Sequence, residues 1–285
     1  MGALITIVRQ TLAAWVSHDA SSMGAALAFY TLFAIAPILI IAMGLADALI
    51  GENMARAHVL QQMRALIGDT GAAAVRTLLA SVHYRQRSGF AAVVGILTLL
   101  VGATSVFGEL QSALNRIWHT PARARSEGWW HFLCTRAVSF ALILGVGLLL
   151  LVSLIASAAL AAFGSWLESF LPGWKLILSL LDLALGFGLA TLLFAMIFKY
   201  VPREKITWGD VWIGGLVTAC LFTLGKLLIG AYLGRTAFAS AYGAAGSLIV
   251  LLLWVYYSAQ IFLLGAEFTC IFAYQRGSRR TRGVS

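Results

Sequence analysis

Lys226, Asp182 and Glu267 each interrupt an apolar run of membrane-spanning length, and Tyr30 places a hydroxyl in a fourth. An ionisable group in hydrocarbon costs several kcal/mol unless it meets a partner, a water-filled cavity or a ligand, so polar chemistry is to be sought at these positions. A lysine and an aspartate at one depth can form an ion pair or line a shared polar cavity. A glutamate towards the opposite face can meet basic loops. The stretch FGELQSALNRIW at 107–118 adds Glu109, Asn115 and Arg116 as polar residues of a helical pattern. Such a set can dock or pass a charged group, and it contains no motif that breaks a bond. His18, His58, His83, His119 and His131 lack HxxxH or HxH spacing, and no GxSxG or P-loop is present. Cys134, Cys220 and Cys270 lack metal-type spacing and read as small buried packing residues. No metal and no cofactor is expected. Plainer readings stand beside the functional ones: Lys226 can snorkel to the outer headgroups, Glu267 can bind Arg136 or Arg116, and the Tyr30 hydroxyl can bond between packed helices.

The elements that hold these residues follow from composition. With 61% hydrophobic residues, 11% charged residues and a mean hydropathy of +0.90, the chain is far more apolar than a soluble domain. It reads as an all-α polytopic membrane protein. Only 4 prolines favour long helices, and no segment alternates as a transmembrane barrel strand does. Runs of about 20 apolar residues predict six spans, at 23–50, 90–107, 137–163, 176–200, 211–233 and 246–271. Pro37 predicts a kink in the first. Pro121 ends the helix that carries Asn115 and Arg116, and Trp118, Trp129 and Trp130 suit an interfacial aromatic belt.

No cleavable signal peptide is expected: the first 22 residues include Arg9, His18 and Asp19 and lack a compact apolar core before a small-residue site. One side of the six spans carries about twelve Lys and Arg and the other about eight, which predicts both termini in the cytoplasm. The formal charge of +9 is then assigned to this topology and to anionic lipid headgroups, with no nucleic-acid partner expected and a homo-oligomer left open. Residues 1–22 form a cytoplasmic segment in this reading, 23–274 the transmembrane domain and 275–285 a basic cytoplasmic tail. Within the domain, 51–89 is an outer segment with two short amphipathic helices predicted at 53–68 and 71–83. They carry Arg56, Arg64 and Arg76, and either lie at the headgroup level or form a lid over a cavity.

Depth separates the charged residues. At about 1.5 Å per residue, Lys226 comes about 22 Å from the inner end of its span, in the outer third of a core about 30 Å thick. Asp182 falls at nearly the same depth, so a Lys226–Asp182 pair or shared cavity is expected there. Glu267, about 20 residues into the last span, comes near the inner surface as a second station. Gly230 and Gly234 form a GxxxG pair, and Gly243 and Gly246 flank the entry to the last span. These glycines fit a tight hairpin or a broken helix open to a substrate.

Several segments carry a resemblance. GAALAFYTLFAIAPILI at 24–40, LQSALNRIW at 110–118, KYVPREKITWGD at 199–210, LGKLLIGAYL at 224–233 and SAYGAAGSLIVLLLWVYYSAQIFLLGAEF at 240–268 resemble the YihY/BrkB family of bacterial inner-membrane proteins. The resemblance implies six transmembrane helices and a role tied to the cell envelope and to resistance to host killing. Family members have also carried a ribonuclease BN label regarded as misassigned. Three function classes follow. The leading one is a transporter or flippase-like protein for a lipid, an envelope precursor or a small solute. The second is a non-transporting scaffold for envelope biogenesis. An enzyme comes last, because no catalytic cluster is recognisable and the cytoplasmic loops are short.

Overall fold

Where the chain leaves hydrocarbon, local chemistry sets the helix ends. The structure, a computed structural model, describes residues 2–33, 76, 102, 105–120, 174–235 and 244–279. Among these residues all regular structure is helical. The helices are α1 (Gly2–Ser17), α2 (Ala20–Phe33), α3 (105–117), α4 (Trp174–Tyr200), α5 (Trp208–Arg235) and α6 (Ala244–Gln275). Three stretches, Leu183–Tyr200, Trp208–Ile229 and Leu248–Gln275, are long and apolar enough to cross a membrane. They coincide with the fourth, fifth and sixth predicted spans. The span at 137–163, most of those at 23–50 and 90–107, and the outer helices at 51–89 apart from Arg76 lie outside the described residues. So do Pro37 and Gly243.

The α3 end is a Schellman turn: His119 has φ 52°, its N–H reaches the Arg116 carbonyl at 3.1 Å, and the Thr120 N–H reaches that of Asn115 at 2.9 Å. The helix therefore closes just before Pro121. Pro202 stops α4 by disfavouring helical angles at Val201. A Thr-x-x-Asp pattern opens α5, with the Thr207 hydroxyl donating to Asp210 at 2.8 Å. Between α1 and α2 the chain turns at Asp19, whose φ is 54°. The α1 helix is a finding that the reading of 1–22 as a plain cytoplasmic segment does not contain.

The chain divides into two compact units. The first comprises Met1–Ala14, Leu114–Thr223 and Leu264–Ser285, and the second Trp15–Ala113 and Leu224–Leu263. In the first unit Leu114, Ile117, Trp118, Phe198, Ile206 and Val211 are buried; in the second, Leu27, Ala28, Ala113, Leu251 and Leu263 are.

In the first unit α5 and α6 pack by a reciprocal exchange of glycine and threonine. A Cβ on Gly214 would meet Thr269 Oγ1 at 1.9 Å, and one on Gly265 would meet Thr218 Oγ1 at 2.0 Å. Each threonine also donates to the carbonyl four residues back on its own helix, Thr218 to Gly214 at 2.7 Å and Thr269 to Gly265 at 2.6 Å. Both hydroxyls are thereby satisfied inside an apolar contact. Close approach of this kind is how helices gain dispersion energy where lipid removes the hydrophobic driving force.

Facing outward along α5 are Leu216, Leu224, Leu227 and Leu228, at 52 to 66% exposure. Water would make such a stripe a liability, whereas for a membrane-spanning helix it is the lipid face. Cys220 lies on it and is exposed, which corrects the expectation of a buried packing residue. Its place at i+4 from Leu216 assigns it to the outward row. Cys270 is buried as expected, and Cys134 lies outside the described residues.

Candidate functional site

The polar side chains of the first unit gather where α3 ends, α5 begins and α6 ends. Asn115, in the last turn of α3, accepts the Arg203 backbone N–H at 3.0 Å through its Oδ1, fixing the Val-Pro-Arg-Glu link to α3. Asp210, buried at 4% exposure, accepts from Thr207 just before α5 and from Ser278 beyond α6. The Ser278 hydroxyl lies at 2.6 Å and its N–H at 3.3 Å. A carboxylate in the first turn of α5 also suits the positive end of the helix dipole.

Arg279 completes the cluster. Its Nη2 donates to Glu204 Oε2 at 2.6 Å and to the Lys205 carbonyl at 3.2 Å, and its Nη1 donates to the Tyr274 hydroxyl at 3.3 Å. The guanidinium lies 5.4 Å from the centroid of the Trp118 ring and 5.7 Å from that of Tyr274. Burial works to lower its pKa, but the bonds to Glu204 and Tyr274 outweigh that and raise it, so the cation is held charged. Trp118, expected in the interfacial belt, is instead buried at 2% exposure beneath this cation, and its indole N–H has no hydrogen-bond partner among the described residues. Half-exposed aromatics here include Tyr200, Trp208, Trp212 and Tyr274. Tyr200 meets Trp208 edge to face at 6.1 Å, and Lys199 lies 5.8 Å above the Trp208 ring while donating to the Ile206 carbonyl.

Deeper in the same unit, Glu267 is buried at 1% exposure within Leu248–Gln275. Cys270, one turn further along α6, donates to the Ile117 carbonyl at 3.4 Å. The helix therefore holds a carboxylate and a thiol on the face that packs inward.

The expected site residues divide between the units. Glu267, Asn115, Arg116 and Asp182 fall in the first, and Lys226, Tyr30 and Glu109 in the second. Arg116 is exposed, and Glu109, Lys226 and Tyr30 are half-buried. The Tyr30 ring meets Phe29 edge to face at 5.7 Å. Asp182 lies on α4, but its side chain is outside the described residues, and with it the expected pairing to Lys226. Gly230 and Gly234 lie on α5, and Gly246 in the first turn of α6. Sequence reasoning missed Glu204, Asp210, Ser278 and Arg279. Only Asp210 carried a local signal, the Thr-x-x-Asp pattern before an apolar run. Among the described residues, no three His, Cys, Asp or Glu side chains converge as metal ligands would. The arrangement suits ionic docking at one end of the unit and a single buried carboxylate within the span.

These features define a helical integral membrane protein. The chain belongs to the family described as Virulence factor BrkB, whose model matches residues 11–284. It is 28% identical over 274 residues to a UPF0761 membrane protein of Pseudomonas paraeruginosa, covering 93% of this chain and 62% of that one. Similar proteins of the same description occur in Alteromonas mediterranea, 31% identical over 179 residues (62% of this chain, 58% of the relative), and in Ralstonia nicotianae, 28% identical over 244 residues (84% and 52%). The chain thus spans less than two thirds of the length of these relatives. No solved structure matches it.

Proposed function

We propose that the protein is a transporter or flippase-like component of the bacterial inner membrane, with both termini cytoplasmic, acting on a lipid, an envelope precursor or a small solute. The observation that carries this reading is Glu267, a carboxylate at 1% exposure inside the apolar stretch Leu248–Gln275. Ionisable groups so placed are costly, and they mark pathways for ions or polar substrates in membrane proteins.

Reconstitution tests it. Liposomes carrying the protein should move a fluorescent phospholipid or a polar solute faster than empty liposomes. Glu267→Gln should lower that flux while the protein keeps its thermal unfolding midpoint. Flux no greater than in empty liposomes for every candidate class overturns the transport reading. The scaffold reading then takes its place, favoured by the glycine–threonine interlock of α5 and α6, which suits a fixed assembly better than a sliding one.

A further inference from the structure

The α1 helix exposes two chemically different arcs. Successive residues turn by about 100° around a helix axis. Ile7 and Thr11, at 1% and 4% exposure, mark the arc packed into the first unit. Ile5, Val8, Leu12 and Val16 are 67, 52, 51 and 69% exposed and fall within an arc of about 80°. Thr6, Arg9, Gln10, Ala13 and Ser17 are also exposed and occupy the adjoining arc of about 100°. A helix surrounded by water gains nothing from four exposed aliphatic side chains in a row. One crossing hydrocarbon would strand Arg9 and Gln10.

We propose that α1 lies along the lipid–water boundary, with Ile5, Val8, Leu12 and Val16 in the acyl chains and Thr6, Arg9, Gln10 and Ser17 among the headgroups. Three observations name lipid as the occupant of the aliphatic arc. The arc is aliphatic, as is the outward row of Leu216, Leu224, Leu227 and Leu228 on α5. Its polar neighbour carries a cation, which complements anionic headgroups. The Gln10 side chain is hydrogen-bonded to Gln275, the last residue of the stretch Leu248–Gln275, so α1 meets the first unit where that span ends. Residues 2–17 thereby become a membrane-surface element. This inference is independent of any transport activity.

Nitroxide labels on single cysteines test it in the full chain, reconstituted in phosphatidylethanolamine–phosphatidylglycerol vesicles with the three native cysteines replaced by alanine. Labels at 5, 8, 12 and 16 should collide several-fold more often with oxygen than with a water-soluble nickel chelate, and labels at 6, 13 and 17 should show the reverse. Frequent collisions with nickel in both arcs would put α1 in water and overturn the proposal. Frequent oxygen collisions in both would make it a spanning helix. Few collisions with either reagent at 5, 8, 12 and 16 would mean that protein, such as a second copy, covers the arc. If the cysteine-free background does not fold, a benzophenone side chain at Val8 or at Ala13 in the otherwise native chain gives the same decision. Lipid adducts are expected from position 8 and not from 13, and adducts from neither position or equally from both reject the interfacial placement.

Discussion

Gly215 and Gly225 lie on the same helix, yet they face neighbours of opposite kinds. In the first unit, a Cβ on Gly215 would meet the Thr191 carbonyl oxygen at 2.7 Å and the Ala195 backbone nitrogen at 3.0 Å. In the second, one on Gly225 would meet the tip of Ile261 at 2.3 Å and the Tyr257 ring at 3.1 Å. A backbone cannot step aside without moving a helix, whereas the end of a side chain can change rotamer. The contrast extends to polar groups. In the first unit Asp210 and Arg279 are bonded from several directions, while in the second the Gln260 carboxamide makes two long bonds and, among the described residues, its oxygen has no partner. One α5 helix therefore runs from a region where position is over-determined to one where it is loosely specified.

Substitution at Gly215 should expose this difference most. Gly215→Ala forces α4 and α5 apart and is expected to cost about 2–3 kcal/mol, read as a lowered thermal unfolding midpoint in detergent. Gly225→Ala should cost under about 1 kcal/mol in the same measurement. Equal losses at the two positions would dissolve the contrast.

Next in size is the pair between Arg279 and Glu204. Among the described residues, Glu204→Ala leaves a buried cation with the Tyr274 hydroxyl and the Lys205 carbonyl as acceptors and the Trp118 and Tyr274 rings beside it. Breaking a fully buried pair costs about 3–5 kcal/mol, but the Glu204 side chain is 32% exposed, so about 1–2 kcal/mol is expected. A double-mutant cycle with Arg279→Gln should recover most of that loss as coupling; additive losses would show that the pair contributes little. Asp210→Ala removes the acceptor of both Thr207 and Ser278 and should cost about 1 kcal/mol. Faster amide exchange at Ser278 would locate that effect, and unchanged exchange there would argue that the Arg279 side chain and the backbone bonds to Phe272 and Ala273 hold residues 276–279 without Asp210.

The spans that the sequence makes legible are those whose physics is one-dimensional. Hydrocarbon demands an unbroken apolar run, so 176–200, 211–233 and 246–271 were readable, and the helices run on past them to Trp174, Trp208, Arg235 and Gln275 through mixed stretches that include Lys175, Asp210, Arg235 and Gln275. The α1 helix escaped because its aliphatic and polar arcs interleave in sequence and average to an undistinguished segment. The site was half legible. Glu267 stood out because a carboxylate in an apolar run is anomalous wherever it points. Arg279 and Glu204 are 75 residues apart, and each alone reads as one more charge in a basic or mixed loop. Likewise Gly214 and Gly265 acquire meaning only when antiparallel register sets each against the other helix's threonine. The GxxxG pair at Gly230 and Gly234 drew notice by spacing alone.

The smallest expected effect is at Gln260. Its Nε2 donates to the carbonyls of Ala20 and Ser21 at 3.3 and 3.4 Å, both beyond the usual N–H···O range, and its Oε1 is buried with no hydrogen-bond partner among the described residues. A buried unsatisfied acceptor costs about 1–3 kcal/mol, comparable to what two weak bonds return. Gln260→Met keeps the length of the side chain against Gly24 while removing both the donors and the orphaned oxygen. The unfolding midpoint is expected to stay the same or to rise by the equivalent of at most about 1 kcal/mol. A loss as large as that of Glu204→Ala would mean that the second unit also depends on polar bonds for its packing, and the division drawn along α5 would then rest on its glycines alone.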